Sequence, residues 1–325
     1  MDGDSARLVS HAPEKMKVSH SVAFENIKDK PVLEGIWVPL VTPFKHGELD
    51  LQALKNLTQR MVNHGVHGLV VCSTTGEMGS LSLDEQLQVI QTVQQVTHQK
   101  TPLLIGLLGT DTRAMVHQAK LLDTLNPFGF LIAPPPFIRP SQAGLFAHFT
   151  ALADAVSSNI VLYNIPGRAG VALALETLQR LAENPTFIGI KESSGDVETL
   201  RRTIKASNLP VMCGDDSLIV DGLLHGATGA IAASAHIHTE MFLNLYALAK
   251  SKRHQDASEQ FSKLEMLIRL LFQEPNPAPV KALLAYQGLI SNELRLPLTT
   301  ATHCLSEQLI QTLHQLETAL AQAAA

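Results

Sequence analysis

The stretch FIGIKESSGD, residues 187–196, places a lysine at the end of an apolar run. Phe187, Ile188 and Ile190 suit a strand buried on both faces. Lys191 does not, because burying an ammonium is costly unless something compensates. An amine held in a low-dielectric site gives up its proton more readily. In its neutral form it attacks a ketone or aldehyde to form a Schiff base, whose protonated imine is an electron sink for an adjacent carbanion. That chemistry calls for no metal and no organic cofactor. Other polar residues stand at the ends of similar apolar runs. Thr74 and Thr75 follow GLVVCS and offer hydroxyls and backbone N–H groups suited to a carboxylate. Tyr163 stands next to last in IVLYN (160–164), and its phenol both donates and accepts a proton. Arg168, in Pro-Gly-Arg, presents a fork for a second carboxylate. Each has a plain alternative: a snorkelling lysine, helix-capping threonines, a core aromatic with a wet tip, a loop charge. Coincidence explains them poorly when they stand together at neighbouring strand ends.

The elements that must position them follow a regular rhythm. Strand candidates are IWVPLV (36–41), GLVVCS (68–73), LLIGLL (103–108), GFLIA (129–133), IVLYNI (160–165), FIGIK (187–191), VMCG (211–214) and GAIAAS (229–234). Helix-period segments such as 51–65 and 84–98 lie between them, the second opened by a Ser82/Glu85 capping box. This alternation predicts an α/β fold, a (β/α)₈ TIM barrel over residues 35–236, with chemistry at the C-terminal strand ends. No Gly-x-Gly-x-x-Gly follows the first strand, which weakens a doubly wound sheet. Further helical segments at 238–250, 255–273, 278–288 and 305–323 predict a C-terminal helical bundle within residues 237–325. EPNPAP (274–279) reads as a proline-rich break between two of them. Residues 1–34 read as an N-terminal extension outside the fold, partly disordered.

Bulk properties narrow the function class. The chain has 325 residues, 45% hydrophobic and 17% charged, with a net charge of −5. That balance suits a large packed core and argues against a nucleic-acid partner. No apolar run reaches the roughly 18 residues of a membrane span. The N-terminus lacks the apolar centre of a secretory signal. The three cysteines, Cys72, Cys213 and Cys304, fit neither a disulfide framework nor a zinc motif. A cytoplasmic protein is expected.

The motifs TTGE (74–77), YNIPGRAG (163–170), GIKESSGD (189–196), CGDD (213–216) and EPNPAPVK (274–281) occur in order. Together they resemble the dihydrodipicolinate synthase and N-acetylneuraminate lyase family, from about Gly35 to near the C-terminus. The resemblance implies a pyruvate Schiff base and a homotetramer or homodimer acting on small molecules. By position it implies that Lys191 forms the imine and that Tyr163 shuttles protons over the pyruvate. It also implies that Thr75 joins the relay and that Thr74 with Thr75 holds the pyruvate carboxylate. Gly214 and Ile231 would line the site with backbone. Thr74 at the head of TTGE, Arg168, and LRLPLT (294–299) resemble the 4-hydroxy-tetrahydrodipicolinate synthase branch. That branch condenses pyruvate with aspartate semialdehyde in lysine biosynthesis. The alternative within the family is a pyruvate-dependent aldolase or dehydratase acting on a 2-keto-3-deoxy sugar acid.

Three departures stand out. The family's synthases complete their relay with a neighbouring subunit's tyrosine, where PPPFIRPSQ (134–142) places Phe137. Losing a relay hydroxyl slows such chemistry by about 10²–10⁴, which favours a slow synthase, another acceptor or a keto-acid sensor. GLLGT (106–110) also differs from the family's Gly-x-Gly-x-Asn. Met78, Leu83, Gln86 and Ala114 replace the polar groups of lysine-inhibited members, so lysine is expected not to inhibit. From another class, His236, His238 and Glu240 suggest a metal-dependent hydrolase. The strand ends supply too few further ligands, and no metal is expected.

Overall fold

The computed structural model describes residues 32–98 and 100–324. The expected extension falls almost wholly on residues 1–31, outside the described residues. Eight parallel strands close into a barrel in chain order: Gly35–Pro39, Gly68–Val71, Leu103–Leu107, Gly129–Ile132, Asn159–Asn164, Phe187–Glu192, Val211–Cys213 and Gly229–Ile231. The first strand pairs with both the second and the last. The α/β barrel expected from the alternation is the observed fold.

The strand sequences are apolar throughout because both strand faces are covered. Ile36, Val38, Leu69, Val71 and Ile105 pack outward against the helices. Trp37, Val70, Leu104, Leu131, Val161, Met212 and Ile231 fill the interior, with Leu33 plugged among them. Period-two alternation then fixes where the polar strand-end residues point. Tyr163, two residues beyond Val161, belongs to the interior set. Gly189 faces Leu33, and a Cβ there would lie 2.4 Å from its Cδ2. Lys191, two residues on, shares that inward face.

A short antiparallel ribbon, Phe44–Lys45 with Glu48–Leu49, follows the first strand. Its strands of two residues each are too short to leave a periodic signal. The Ser82/Glu85 capping box is formed, each side chain bonding the other's backbone N–H. The C-terminal helices are Thr239–Lys250, His254–Leu271, Ala278–Tyr286 and His303–Ala324. The first packs on strand Gly35–Pro39 and on helix Leu51–His64, the others on one another.

Candidate active site

The strand ends enclose a cavity of about 240 Å³ lined by every residue expected in the Schiff-base site: Thr74, Thr75, Tyr163, Arg168, Lys191, Gly214 and Ile231. Lys191 is 7% exposed. Tyr163 is its register partner on the adjacent strand, and the Nζ lies 4.4 Å from the phenol ring centroid. No carboxylate pairs with this ammonium and no hydrogen bond engages it among the described residues. Gly214 is glycine for the sake of Lys191. A Cβ there would stand 2.5 Å from Lys191 Cε and 2.0 Å from Ser193 Oγ.

The Thr-Thr-Gly-Glu loop is held from three sides. Thr42 donates its hydroxyl to the Gly76 carbonyl at 2.7 Å. Met78 N–H donates to Ser73 O. Asn276 Nδ2 donates to Thr75 Oγ1 at 2.8 Å, across 201 residues of sequence. With that lone pair taken, the Thr75 hydroxyl proton is free to turn elsewhere. The N–H groups of Thr75 and Gly76 have no partner among the described residues. Asn276 is a cavity-lining residue that the sequence shows only within a proline-rich break and the EPNPAPVK motif, with no role of its own. The usable signal was a polar side chain fenced by Pro275 and Pro277, whose backbone is thereby stiffened.

Beneath the loop lies a second buried lysine. Glu77 adopts a left-handed conformation, φ 53°, and its carboxylate forms an ion pair with Lys281 in which both side chains are shut from solvent. Lys281 also donates to the Glu293 carbonyl at 2.8 Å and sits 4.4 Å from the Phe44 ring centroid. Burial pulls its ammonium below the ordinary lysine value, and Glu77 opposes that pull. Arg295 also stands over Phe44, its Cζ 4.4 Å from the ring centroid, donates its backbone N–H to Glu77 and forks onto Glu85. That fork draws the Glu85 carboxyl down to about 2.

Carboxylates surround the last turns of the barrel. Burial raises Glu192, which accepts two hydrogen bonds from Asn164 and one from Ser194 N–H. Burial raises Asp215, which accepts the Gly195 N–H at 2.7 Å. Burial pushes Asp216 up to about 6, where it accepts the Ser234 N–H at 2.7 Å. Asp215 and Asp216 both line the cavity.

Arg168 sits exposed at the mouth on the turn Pro166–Ala169. Its guanidinium makes no ion pair or hydrogen bond among the described residues. A second cavity of about 470 Å³ adjoins the first, sharing Thr74, Tyr163 and Arg168. Leu107, Leu108 and Leu131 give it an apolar wall, so the GLLGT departure changes this neighbour of the site. Phe137 does not reach its own chain's cavity. It is 91% exposed, with φ 72°.

Of the histidine candidates, His236 is engaged at both ring nitrogens and His238 at one. His236 Nδ1–H donates to Ala233 O at 2.8 Å and Nε2 accepts from Val41 N–H at 3.3 Å. Burial pushes its imidazole down to about 4, so it stays neutral with neither nitrogen free for a metal. His238 pairs with Glu240 at 3.2 Å. Cys72 and Cys213 are buried free thiols, and burial pushes Cys72 up to about 12.

Known proteins are similar to this chain over most of its length. A curated relative from Clostridium acetobutylicum, 4-hydroxy-tetrahydrodipicolinate synthase 2, is 35% identical over 280 residues, covering 85% of this chain and 98% of its own. The chloride-inhibited dihydrodipicolinate synthase of Acinetobacter baumannii, solved in complex with pyruvate, superposes with a TM-score of 0.86. It is 35% identical, over 88% of this chain and 99% of that one. The 4-hydroxy-tetrahydrodipicolinate synthase of Methylacidiphilum fumariolicum SolV gives a TM-score of 0.87 at 32% identity, over 90% and 98%. The model of the dihydrodipicolinate synthetase family matches residues 32–316, which takes in the barrel, the inward lysine and the Asn276 loop. With that match and these identities, the chain belongs to the dihydrodipicolinate synthetase family.

Proposed function

We propose that this chain carries out the 4-hydroxy-tetrahydrodipicolinate synthase reaction, joining pyruvate to aspartate semialdehyde through a Schiff base on Lys191. The observation that carries the reading is Lys191 itself. It is an inward, nearly buried amine with no partner among the described residues, set over Tyr163 in a cavity that also holds Arg168. Its Nζ attacks the pyruvate ketone carbon, water leaves, and a protonated imine remains. Loss of a methyl proton gives the enamine, whose carbon attacks the aldehyde. The new alkoxide takes a proton, and the acceptor's amino group then displaces Lys191 from the imine carbon to close a six-membered ring. Tyr163, beside the Nζ, moves protons in these steps. Thr75 donates its hydroxyl, oriented by Asn276, to the pyruvate carboxylate, with Thr74 beside it. Gly214 and Ile231 shape the wall, and Arg168 takes the acceptor's carboxylate. The iminium is the electron sink, so the scheme calls for neither metal nor organic cofactor.

A sugar-acid enzyme's uncharged aldehyde acceptor would leave Arg168 without a partner, which weighs against that alternative. We also propose a cytoplasmic homodimer or homotetramer, free of nucleic acid and membrane. Exposed Phe137 and Ile138 suit contact with a second copy, and no helix among the described residues is long and apolar enough to cross a membrane. Insensitivity to lysine is supported by Gln86, whose amide oxygen already accepts from Gln118 and whose nitrogen donates to Leu81 O.

Pyruvate consumption with a panel of aldehydes tests the reaction. Aspartate semialdehyde is expected to be the best acceptor by at least about tenfold in kcat/KM, the effect of one charge-assisted contact. Faster turnover of glyceraldehyde would move the chain to the sugar-acid alternative.

A further inference from the structure

Besides Lys191, the cavity holds two opposite charges, and neither forms an ion pair among the described residues. Arg168 stands at the mouth with an unengaged guanidinium. Asp215 stands half-buried in the wall of the same cavity. Its Oδ2 accepts the Gly195 N–H, and no cation comes within ion-pairing distance of it. Lys191, in the same cavity, acts on it only from beyond ion-pairing distance, and a carboxylate taken partly out of water without a paired cation is costly to keep. Asp216, by contrast, is fully buried and tied to Ser234 N–H. In the adjoining larger cavity the only lining carboxylate is Glu77, already paired with Lys281. Further oxygen acceptors belong to residues that line the same cavity. Ser193 Oγ, Ser194 Oγ and Asn276 Oδ1 belong to cavity-lining residues, are buried, and have no hydrogen-bond partner.

We propose that Arg168 and Asp215 together recognise a zwitterion, the guanidinium taking the carboxylate of the acceptor aldehyde and Asp215 its α-ammonium. Asp215 thereby selects an amino-acid semialdehyde over the same aldehyde without an amino group. An ammonium brings several N–H donors, which suits a wall of one carboxylate and unpartnered oxygens. This selectivity rests on the pyruvate–aldehyde reaction proposed above and assigns a residue to its acceptor side.

The test compares aspartate semialdehyde with succinic semialdehyde, the same skeleton lacking the amino group, on wild type, Asp215→Asn and Asp215→Glu. KM is measured for each acceptor, or an inhibition constant where an aldehyde is not turned over. Wild type is expected to hold aspartate semialdehyde at least about tenfold more tightly, and Asp215→Asn to lose about ten- to a hundredfold on it, the range for a hydrogen bond to a charged group. For succinic semialdehyde the variant should stay within about threefold, as no contact is lost there. Asp215→Glu, which keeps the charge, retains most of the preference. Equal losses on both aldehydes, or no loss on either, overturn the proposal. If Asp215→Asn does not fold, equal wild-type affinity for the two aldehydes, or loss of the preference in Asp215→Glu, overturns it as well. Borohydride trapping of pyruvate on each protein separates the two levels. A wild type that traps nothing sinks the reaction itself, whereas normal trapping with unchanged selectivity sinks only the role of Asp215.

Discussion

Lys191 and Lys281 are both buried lysines, and each ammonium lies 4.4 Å from an aromatic centroid, Tyr163 in one case and Phe44 in the other. Their polar surroundings differ completely. Lys281 is 0% exposed, paired with Glu77 and bonded to the Glu293 carbonyl. Lys191 is 7% exposed, faces a cavity and has no partner among the described residues. A satisfied buried ion pair is a fixed part of the scaffold, since breaking it strands a charge. An unsatisfied amine facing a cavity is available to a substrate carbonyl. The two lysines are also linked. Lys281 holds Glu77, the last residue of Thr-Thr-Gly-Glu, so the inert lysine fixes the loop that serves the reactive one.

The sharpest way to break this contrast is to remove each lysine. Lys191→Met should cost at least about a thousandfold in turnover, as loss of a covalent nucleophile does. Its melting temperature should be unchanged or raised, because a lone buried amine is replaced by an apolar chain. Lys281→Met should do the reverse. It leaves Glu77 buried without a cation and should destabilise the fold by about 3–5 kcal/mol, with the folded fraction still able to trap pyruvate. Adding Glu77→Leu should recover much of that loss, which denaturant titration of the three proteins will show. If Lys281→Met melts like wild type but cannot trap pyruvate, the assignment of roles is reversed.

A smaller effect is expected where the two regions meet. Asn276→Ala removes the bond that orients Thr75 and should raise KM for pyruvate by about tenfold, the worth of one hydrogen bond, with kcat less affected. A loss confined to kcat would place Asn276 and Thr75 in proton transfer instead of carboxylate binding. The smallest effect concerns Asp216. Its folded value of about 6 lies above its ordinary 3.8, so the folded protein holds that proton more tightly than the unfolded chain. The stability it contributes is complete below about pH 4 and is lost as pH rises through about 6. Asp216→Asn should therefore melt with wild type at pH 4 and above it at pH 8. A gap that opens on acidification would contradict the burial that raises Asp216.

The barrel was legible because its strands are buried on both faces and so are apolar without interruption, each followed by a helical period. Lys191, Tyr163 and Arg168 were legible because their side chains are the wrong kind for the ends of such runs. Asn276 and Lys281 were not. Their partners, Thr75 and Glu77, lie about 200 residues upstream, and no local pattern records such a pairing. Lys281 in its own segment reads as an ordinary helix lysine, with nothing to distinguish a buried ion pair from a solvated one. Asp215 was visible in the CGDD motif after a strand, but its lack of an ion-pair partner among the described residues is a fact of three dimensions. The resemblance carried the roles further than the residues alone, and it marked Phe137, whose exposed ring lies away from its own chain's cavity.

One measurement bears most directly on the difference between the two lysines. The protein is incubated with pyruvate, reduced with borohydride, weighed intact and mapped by peptide. A single pyruvyl adduct on the peptide carrying Lys191, with the Lys281 peptide unmodified, is the expected result. No adduct, or an adduct on any other lysine, would contradict the account at its centre.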